Sequence, residues 1–296
     1  RITGIWFGVP EPKVSGLEDA LAGFYELEGK VSVLVASDQA ILASINPDMP
    51  LAVGSAFKLA IVAALQDMVA QGSLSWDDVV ELEESHISLP TGILQDWPVG
   101  TPLTVQSLAT LMISISDNTA TDALLRLVGR DRVEMYTQFN RPFLTTLEAF
   151  TLKDPANADL LEEYRRGTAD ERRVVLEKLA SVPLPDLSVF TALQKPIAID
   201  VEWYFTVSEL ATLIGYVHQQ PFMSVNPGLA NPDDWAHIAF KGGSEPGVLN
   251  LTTLVVSDAG HTYVLSATWN NEEALLDEAR FFSLYTGLLN AVKQLD

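Results

Sequence analysis

The 296-residue chain is 48% apolar and 19% charged, a balance that suits a globular protein with a sizeable core in one or two domains. Its net charge of −21, from 18 basic and 39 acidic residues, argues against nucleic-acid binding and disfavours anionic membranes, and no uninterrupted run of 18 apolar residues offers a membrane span. Zero cysteines exclude disulfides and thiolate chemistry, and the histidines, at His86, His218, His237 and His261, lack ligand-type spacing, so neither a metal nor another cofactor is expected.

In chain order, Ile2 to Phe7 reads as a strand closed by Pro10 and Pro12. Residues 1–12 are therefore expected to be an added edge strand or the remnant of an upstream domain. Leu17 to Glu28 reads as a helix with Leu17, Leu21, Phe24 and Leu27 on one face. Val31 to Ala36 and Ala40 to Ile45 read as strands joined near Asp38-Gln39.

At Ser55-Ala56-Phe57-Lys58 a glycine-containing loop, Val53-Gly54, runs into a long apolar helix signal, Leu59 to Val69. Three residues is nearly one helical turn, so Ser55 and Lys58 share a face. A serine is a poor nucleophile unless a base lies beside it, and a lysine serves once burial or a second cation makes it neutral. Alone the pattern is weak, because Ser-x-x-Lys arises by chance about once in a chain this long.

Two further segments raise its weight. Ser116-Asp117-Asn118 sits between the helix signals Ser107 to Ile115 and Thr119 to Val128, where it reads equally well as a capping segment. The charged stretch Glu162 to Lys178 reads as a solvated helix pair carrying ion pairs. Lys241-Gly242-Gly243-Ser244 ends a strand-like run, Ala236 to Phe240, and its two glycines permit close backbone approach or a plain turn. Val248 to Val256 and Tyr263 to Trp269 form a hairpin around Asp258-Ala259-Gly260, and Glu272 to Val292 reads as a final helix.

Strands thus cluster at both ends and helices fill the middle. That order is satisfied by an α/β (α+β) fold: an antiparallel sheet built from both termini with flanking helices, plus an inserted all-helical subdomain. The boundaries expected are an α/β part at about 13–50 and 233–296 and a helical part at about 51–232, together one domain over 13–296.

Ser-x-x-Lys, Ser-Asp-Asn and a Lys-Gly-Gly in place of Lys-Thr-Gly occur in the order found in class A β-lactamases and penicillin-binding proteins. Sixty-one residues separate Ser55 from Ser116 and 125 separate Ser116 from Lys241. Residues 50–65 and 100–129 resemble class A sequence throughout. The resemblance implies a β-lactamase/transpeptidase-like fold and a catalytic set of Ser55 as nucleophile, Lys58 as its base, Ser116 as proton relay and Lys241 as the nearby cation. It further implies that Asn118 holds the substrate amide and that backbone around Gly243 and Ser244 binds substrate, the N–H groups of Ser55 and Ser244 forming an oxyanion hole.

Two departures accompany it. No Glu-x-x-Leu-Asn segment, whose Glu activates the deacylating water in class A enzymes, occurs here. Glu148 is the nearest carboxylate, and a structural or ion-paired role is the competing reading for it. Gly242 stands where the family carries Thr or Ser. Residues 144–153 and 201–214 are similar instead to a branch that includes an esterase-type protein of clavulanic acid biosynthesis, in which a separate domain precedes the hydrolase.

The expected function is therefore acylation of Ser55 by a small-molecule β-lactam or ester, with weak or specialised turnover. A D-alanyl-D-alanine carboxypeptidase or transpeptidase acting on a peptidoglycan stem peptide, and a non-catalytic penicillin-recognising receptor, are the alternatives. The chain begins at Arg1, so the compartment is open: periplasmic or secreted if a leader was removed, cytoplasmic otherwise.

Overall fold

The computed structural model describes residues 14–295 except 193 and 194, so the expected strand Ile2 to Phe7 lies outside the described residues. Five strands form the main sheet: β1 (Lys30–Ser37), β2 (Ile41–Ile45), β3 (His237–Glu245), β4 (Val248–Val256) and β5 (Thr262–Asn270). Their order across the sheet is β2-β1-β5-β4-β3, and every neighbouring pair is antiparallel. The N-terminal hairpin therefore joins the C-terminal meander through β1 and β5, with Lys30 opposite Asn270 and Ser37 opposite Tyr263. β3 is left at the edge, and that edge carries Lys241 to Ser244.

The terminal helices cover one face of the sheet. Leu17–Ala22 continues as a short 3-10 turn, Gly23–Glu26, so the expected first helix tightens before Glu28. Leu21, Phe24 and Leu27 are buried there, as the sequence spacing requires. The last helix runs Glu278–Lys293 and starts six residues later than expected. Asn271 Oδ1 accepts from the amides of Glu273 and Ala274 and holds a turn, while Asp277 caps the helix by accepting from Arg280 N. Phe281, Tyr285, Leu288 and Val292 of that helix are buried against β4 and β5.

The second core surrounds the helix Lys58–Ala70. Leu59 to Leu65 are apolar on every side and at most 1% exposed, the pattern of a helix wrapped by other helices. Each such Leu, Ile or Val contributes about 1.5–3 kcal/mol when removed from water. Its neighbours include Val105–Ser114, Asn118–Val128 and Val207–Val217. The charged stretch forms two helices, Ala158–Arg166 and Ala169–Leu179, laced by pairs such as Arg165–Glu162 and Lys178–Glu163. Two short ribbons lie within the helical part: Leu51–Ala52 with Tyr204–Phe205, and Val79–Glu81 with Pro102–Thr104.

One clamp joins the two parts near the site. The Asn270 side chain, buried at the end of β5, accepts from Ala52 N at 2.9 Å and donates to Ala52 O at 2.9 Å. It mimics a strand partner for the segment that leads into Ser55 and fixes that segment against the sheet. No helix among the described residues is long and apolar enough to cross a membrane.

Candidate active site

Ser55 lies in a 3-10 turn, Gly54–Phe57, and Lys58 opens the long helix that follows. In a 3-10 turn the side chains at i and i+3 eclipse, so the two residues project in the same direction. Lys58 is wholly buried. Its Nζ lies 2.7 Å from Ser116 O, 3.0 Å from Ser116 Oγ and 2.8 Å from Asn118 Oδ1. Burial, reinforced by the charge of Lys241 and opposed by Asp122 and Asp117, holds its amine well below the ordinary lysine range. No direct hydrogen bond joins Ser55 to Lys58 among the described residues, and such contacts commonly tighten only with substrate bound.

Ser116 takes a left-handed backbone, φ 58, unusual for a non-glycine residue. Its neighbour holds it there. Asp117 accepts from Ala120 N as the N-cap of the helix Asn118–Val128, and its other oxygen accepts from Ile93 N and Leu94 N. The capping reading of the tripeptide is thus correct for its middle residue, which frees Ser116 and Asn118 to face Lys58. Asn118 also donates to Leu89 O.

Lys241 reaches the same atom from the opposite wall, with Nζ 3.2 Å from Ser116 Oγ and 2.5 Å from Gly242 O. It is 3% exposed, and burial lowers its amine to about 7. Two amines of suppressed basicity therefore flank one hydroxyl. In such a trio a proton can pass from Lys58 to Ser116 without crossing bulk water.

The backbone beside Ser55 is fitted to the edge of β3. A Cβ on Gly243 would sit 2.2 Å from Val53 O and 2.4 Å from Ser55 N, so only glycine permits this approach. Gly54, at φ 49, faces Ser244 N in return; a Cβ there would lie 2.9 Å from it. The amides of Ser55 and Ser244 thus belong to facing backbones. At Gly242 the ring of Phe240 takes the space of the missing side chain, its Cζ lying 2.9 Å from where a Cβ would be.

Ser55, Ser116, Asn118, Lys241, Gly243 and Ser244 all line one cavity of about 830 Å³. Lys58 lies beneath it. Glu148 does not line it. The helix Thr146–Lys153 turns Thr146, Ala149, Phe150 and Lys153 toward the cavity, the i, i+3, i+4, i+7 stripe of one face, and Glu148 falls off that stripe. Glu148 instead completes a capping box with Thr145 and pairs with Arg130 at 2.8 Å, beside a separate cavity of about 1050 Å³. Glu148, the carboxylate named from sequence for deacylation, thus lies apart from the Ser55 cavity and in the ion-paired arrangement of its competing reading.

Three charged residues in the Ser55 cavity escaped sequence reasoning. Lys153 bonds Glu202 and also both carboxylate oxygens of Glu245, each at 2.8 Å. Glu202 precedes Trp203, whose ring stacks on Phe57 with centroids 3.8 Å apart. A carboxylate between two buried apolar residues, Val201 and Trp203, was the available signal.

A family model described as the beta-lactamase enzyme family matches residues 16–182. The β-lactamase VEB-1 of Pseudomonas aeruginosa is 30% identical over 99 residues, which span 32% of this chain and 33% of that one. The chain thus covers about a third of that relative's length. The crystal structure of a β-lactamase from Sphaerobacter thermophilus is similar in fold, with a TM-score of 0.64 at 20% identity, covering 95% of this chain and 98% of that one. A point mutant of PBP-A, solved as an acyl-enzyme complex with penicillin G, aligns with a TM-score of 0.59 at 16% identity over 90% of each chain. An ancestral class A β-lactamase aligns with a TM-score of 0.62 at 16% identity, covering 93% of this chain and 98% of that one.

Proposed function

Because this chain belongs to the beta-lactamase enzyme family, we propose that it is a serine hydrolase acylated at Ser55 by β-lactams or small esters. The observation that carries the reading is Ser116 Oγ held between Lys58 at 3.0 Å and Lys241 at 3.2 Å. Ser55 Oγ attacks the substrate carbonyl carbon while neutral Lys58 takes its proton. The oxyanion that forms is received by the N–H groups of Ser55 and Ser244, donors whose removal in other serine hydrolases costs roughly 3–4 kcal/mol. As the carbonyl re-forms, the carbon–nitrogen or carbon–oxygen bond breaks. Ser116 Oγ gives its proton to the departing atom and recovers one from Lys58. Asn118 holds the acyl amide.

Release of the acyl group is the slow step in this reading. The cavity-facing stripe of the helix Thr146–Lys153 carries no carboxylate, and Glu202 and Glu245 are engaged with Lys153. That same observation favours the second reading, a penicillin-binding-protein-type enzyme or receptor with a long-lived adduct. The acyl-enzyme described for the PBP-A mutant is consistent with either. The esterase branch stays within the first reading.

Intact mass spectrometry over time separates them. A transient adduct with opened β-lactam product supports hydrolysis. A persistent adduct, with release of D-alanine from stem peptide, supports the penicillin-binding type. Loss of the 3′-acetyl group from a cephalosporin by unmodified protein supports the esterase.

A further inference from the structure

The buried charged triad at the far end of the cavity has no part in that chemistry. Lys153 comes from the end of a helix, Glu202 from the loop before Trp203, and Glu245 from the end of β3. The Lys153 and Glu202 side chains are 4% and 2% exposed, and Glu245 is 21% exposed on the cavity side. One ammonium faces two carboxyls, an excess of one acid. Glu202 Oε2 is buried and, among the described residues, no N–H or hydroxyl donor reaches it; its only neighbour there for a shared proton is the Glu245 carboxyl.

Position along β3 gives the triad its meaning. Lys241 bonds Ser116, the group that protonates the leaving atom, so the leaving half of a substrate lies at that end. Ser244 supplies the oxyanion donor. Glu245 is the next residue, and the acyl half of the substrate must extend past it. We propose that Glu202 and Glu245 form an acyl-side subsite selecting substrates whose acyl group carries an ammonium. The inference rests on acylation at Ser55 as proposed above.

Charge accounting agrees. Burial, then the Glu245 charge, push the Glu202 carboxyl up against the pull of Lys153, so near neutral pH it retains a proton beside Glu245. An incoming ammonium replaces that proton, which leaves to solvent, and the site then holds two cations and two carboxylates. A ligand with an anionic or purely apolar acyl group makes no such exchange.

The test uses matched penicillins on the whole protein: benzyl against α-aminobenzyl, and pentanoyl against 5-aminopentanoyl, which place the amine at two reaches. Acylation rates are read by intact mass. The amine-bearing member of at least one pair is expected to react roughly tenfold faster. Glu245→Gln and Glu202→Gln should each bring that ratio toward one. The ratio is internal to each variant, so general damage to folding does not move it, and partly exposed Glu245 serves if Glu202→Gln fails to fold. Equal rates within both pairs, or a preference untouched by Glu245→Gln, overturn the subsite while leaving acylation intact. A variant that instead lengthens the adduct's life equally for both members also overturns it, assigning the carboxylates to deacylation. Absence of any adduct, with the β-lactams left unopened and the esters intact, overturns the proposed function and the subsite together.

Discussion

Lys58 and Lys241 converge on one atom: Ser116 Oγ lies 3.0 Å from the first amine and 3.2 Å from the second. Each lysine is buried, and the charge of Lys241 adds to burial in suppressing the proton affinity of Lys58. Burial is the larger cause for Lys58 and the Lys241 charge the second, so the two amines are coupled across Ser116.

Acylation should depend on pH accordingly. Its rate should rise with pH as Lys58 loses its proton, and the rise should fall below the range of an ordinary lysine. Lys241→Met removes the neighbouring charge, so the rise should move to higher pH and the maximum should drop by roughly 100-fold or more. Stopped-flow acylation across pH measures both. An unmoved profile in the variant would sever the two lysines.

Stability should move the other way. Burial lowers Lys241 to about 7 in the folded protein, against about 10.4 for a free lysine. Between those values the unfolded chain binds a proton that the folded chain does not, so this residue makes stability rise with pH through that window. The cost is fully present below pH 7 and relieved above it. Lys241→Met should raise Tm at pH 6–7 by roughly 2–6 °C while losing activity. Thermal melts at pH 6 and pH 9 give the comparison, and the gain should shrink at the higher pH.

Gly243→Ala should abolish acylation with the fold retained or loosened locally. Its Cβ would lie 2.2 Å from Val53 O, so β3 must withdraw from Ser55 and separate the two oxyanion donors. Loss of one such donor costs roughly 100–1000-fold in rate. A near-wild-type acylation rate in this variant would show that the donors are elsewhere.

Glu148→Gln should leave the lifetime of the acyl-enzyme unchanged and lower Tm. The substitution keeps a side chain that can close the capping box and removes only the charge paired with Arg130, worth about 0.2–1 kcal/mol. Adduct decay followed beside a thermal melt separates the two roles; a prolonged adduct would return Glu148 to catalysis.

The sequence made the cluster around Ser55 readable because each motif is three or four contiguous residues at an element junction. Ser55 and Lys58 are one turn apart, and Ser116 and Asn118 flank a capping Asp117. Glu148 was also readable: Thr145-x-x-Glu148 is a capping-box pattern, and Glu148 is off the stripe of Thr146, Ala149, Phe150 and Lys153. The triad was not. Lys153, Glu202 and Glu245 stand 49 and 92 residues apart in pairs and follow no spacing rule, since only the tertiary fold brings them together. At Gly242 the sequence revealed a missing hydroxyl, but the ring of Phe240 filling its place depends on side-chain direction along an edge strand.

The central claim, acylation at Ser55, is tested most directly by intact mass with peptide mapping after incubation with benzylpenicillin, for wild type and Ser55→Ala side by side. The expected result is an adduct of one intact penicillin on Ser55 in the wild type and none in Ser55→Ala. An adduct of equal extent in Ser55→Ala, or a wild type that neither gains mass nor opens the β-lactam, would contradict the account.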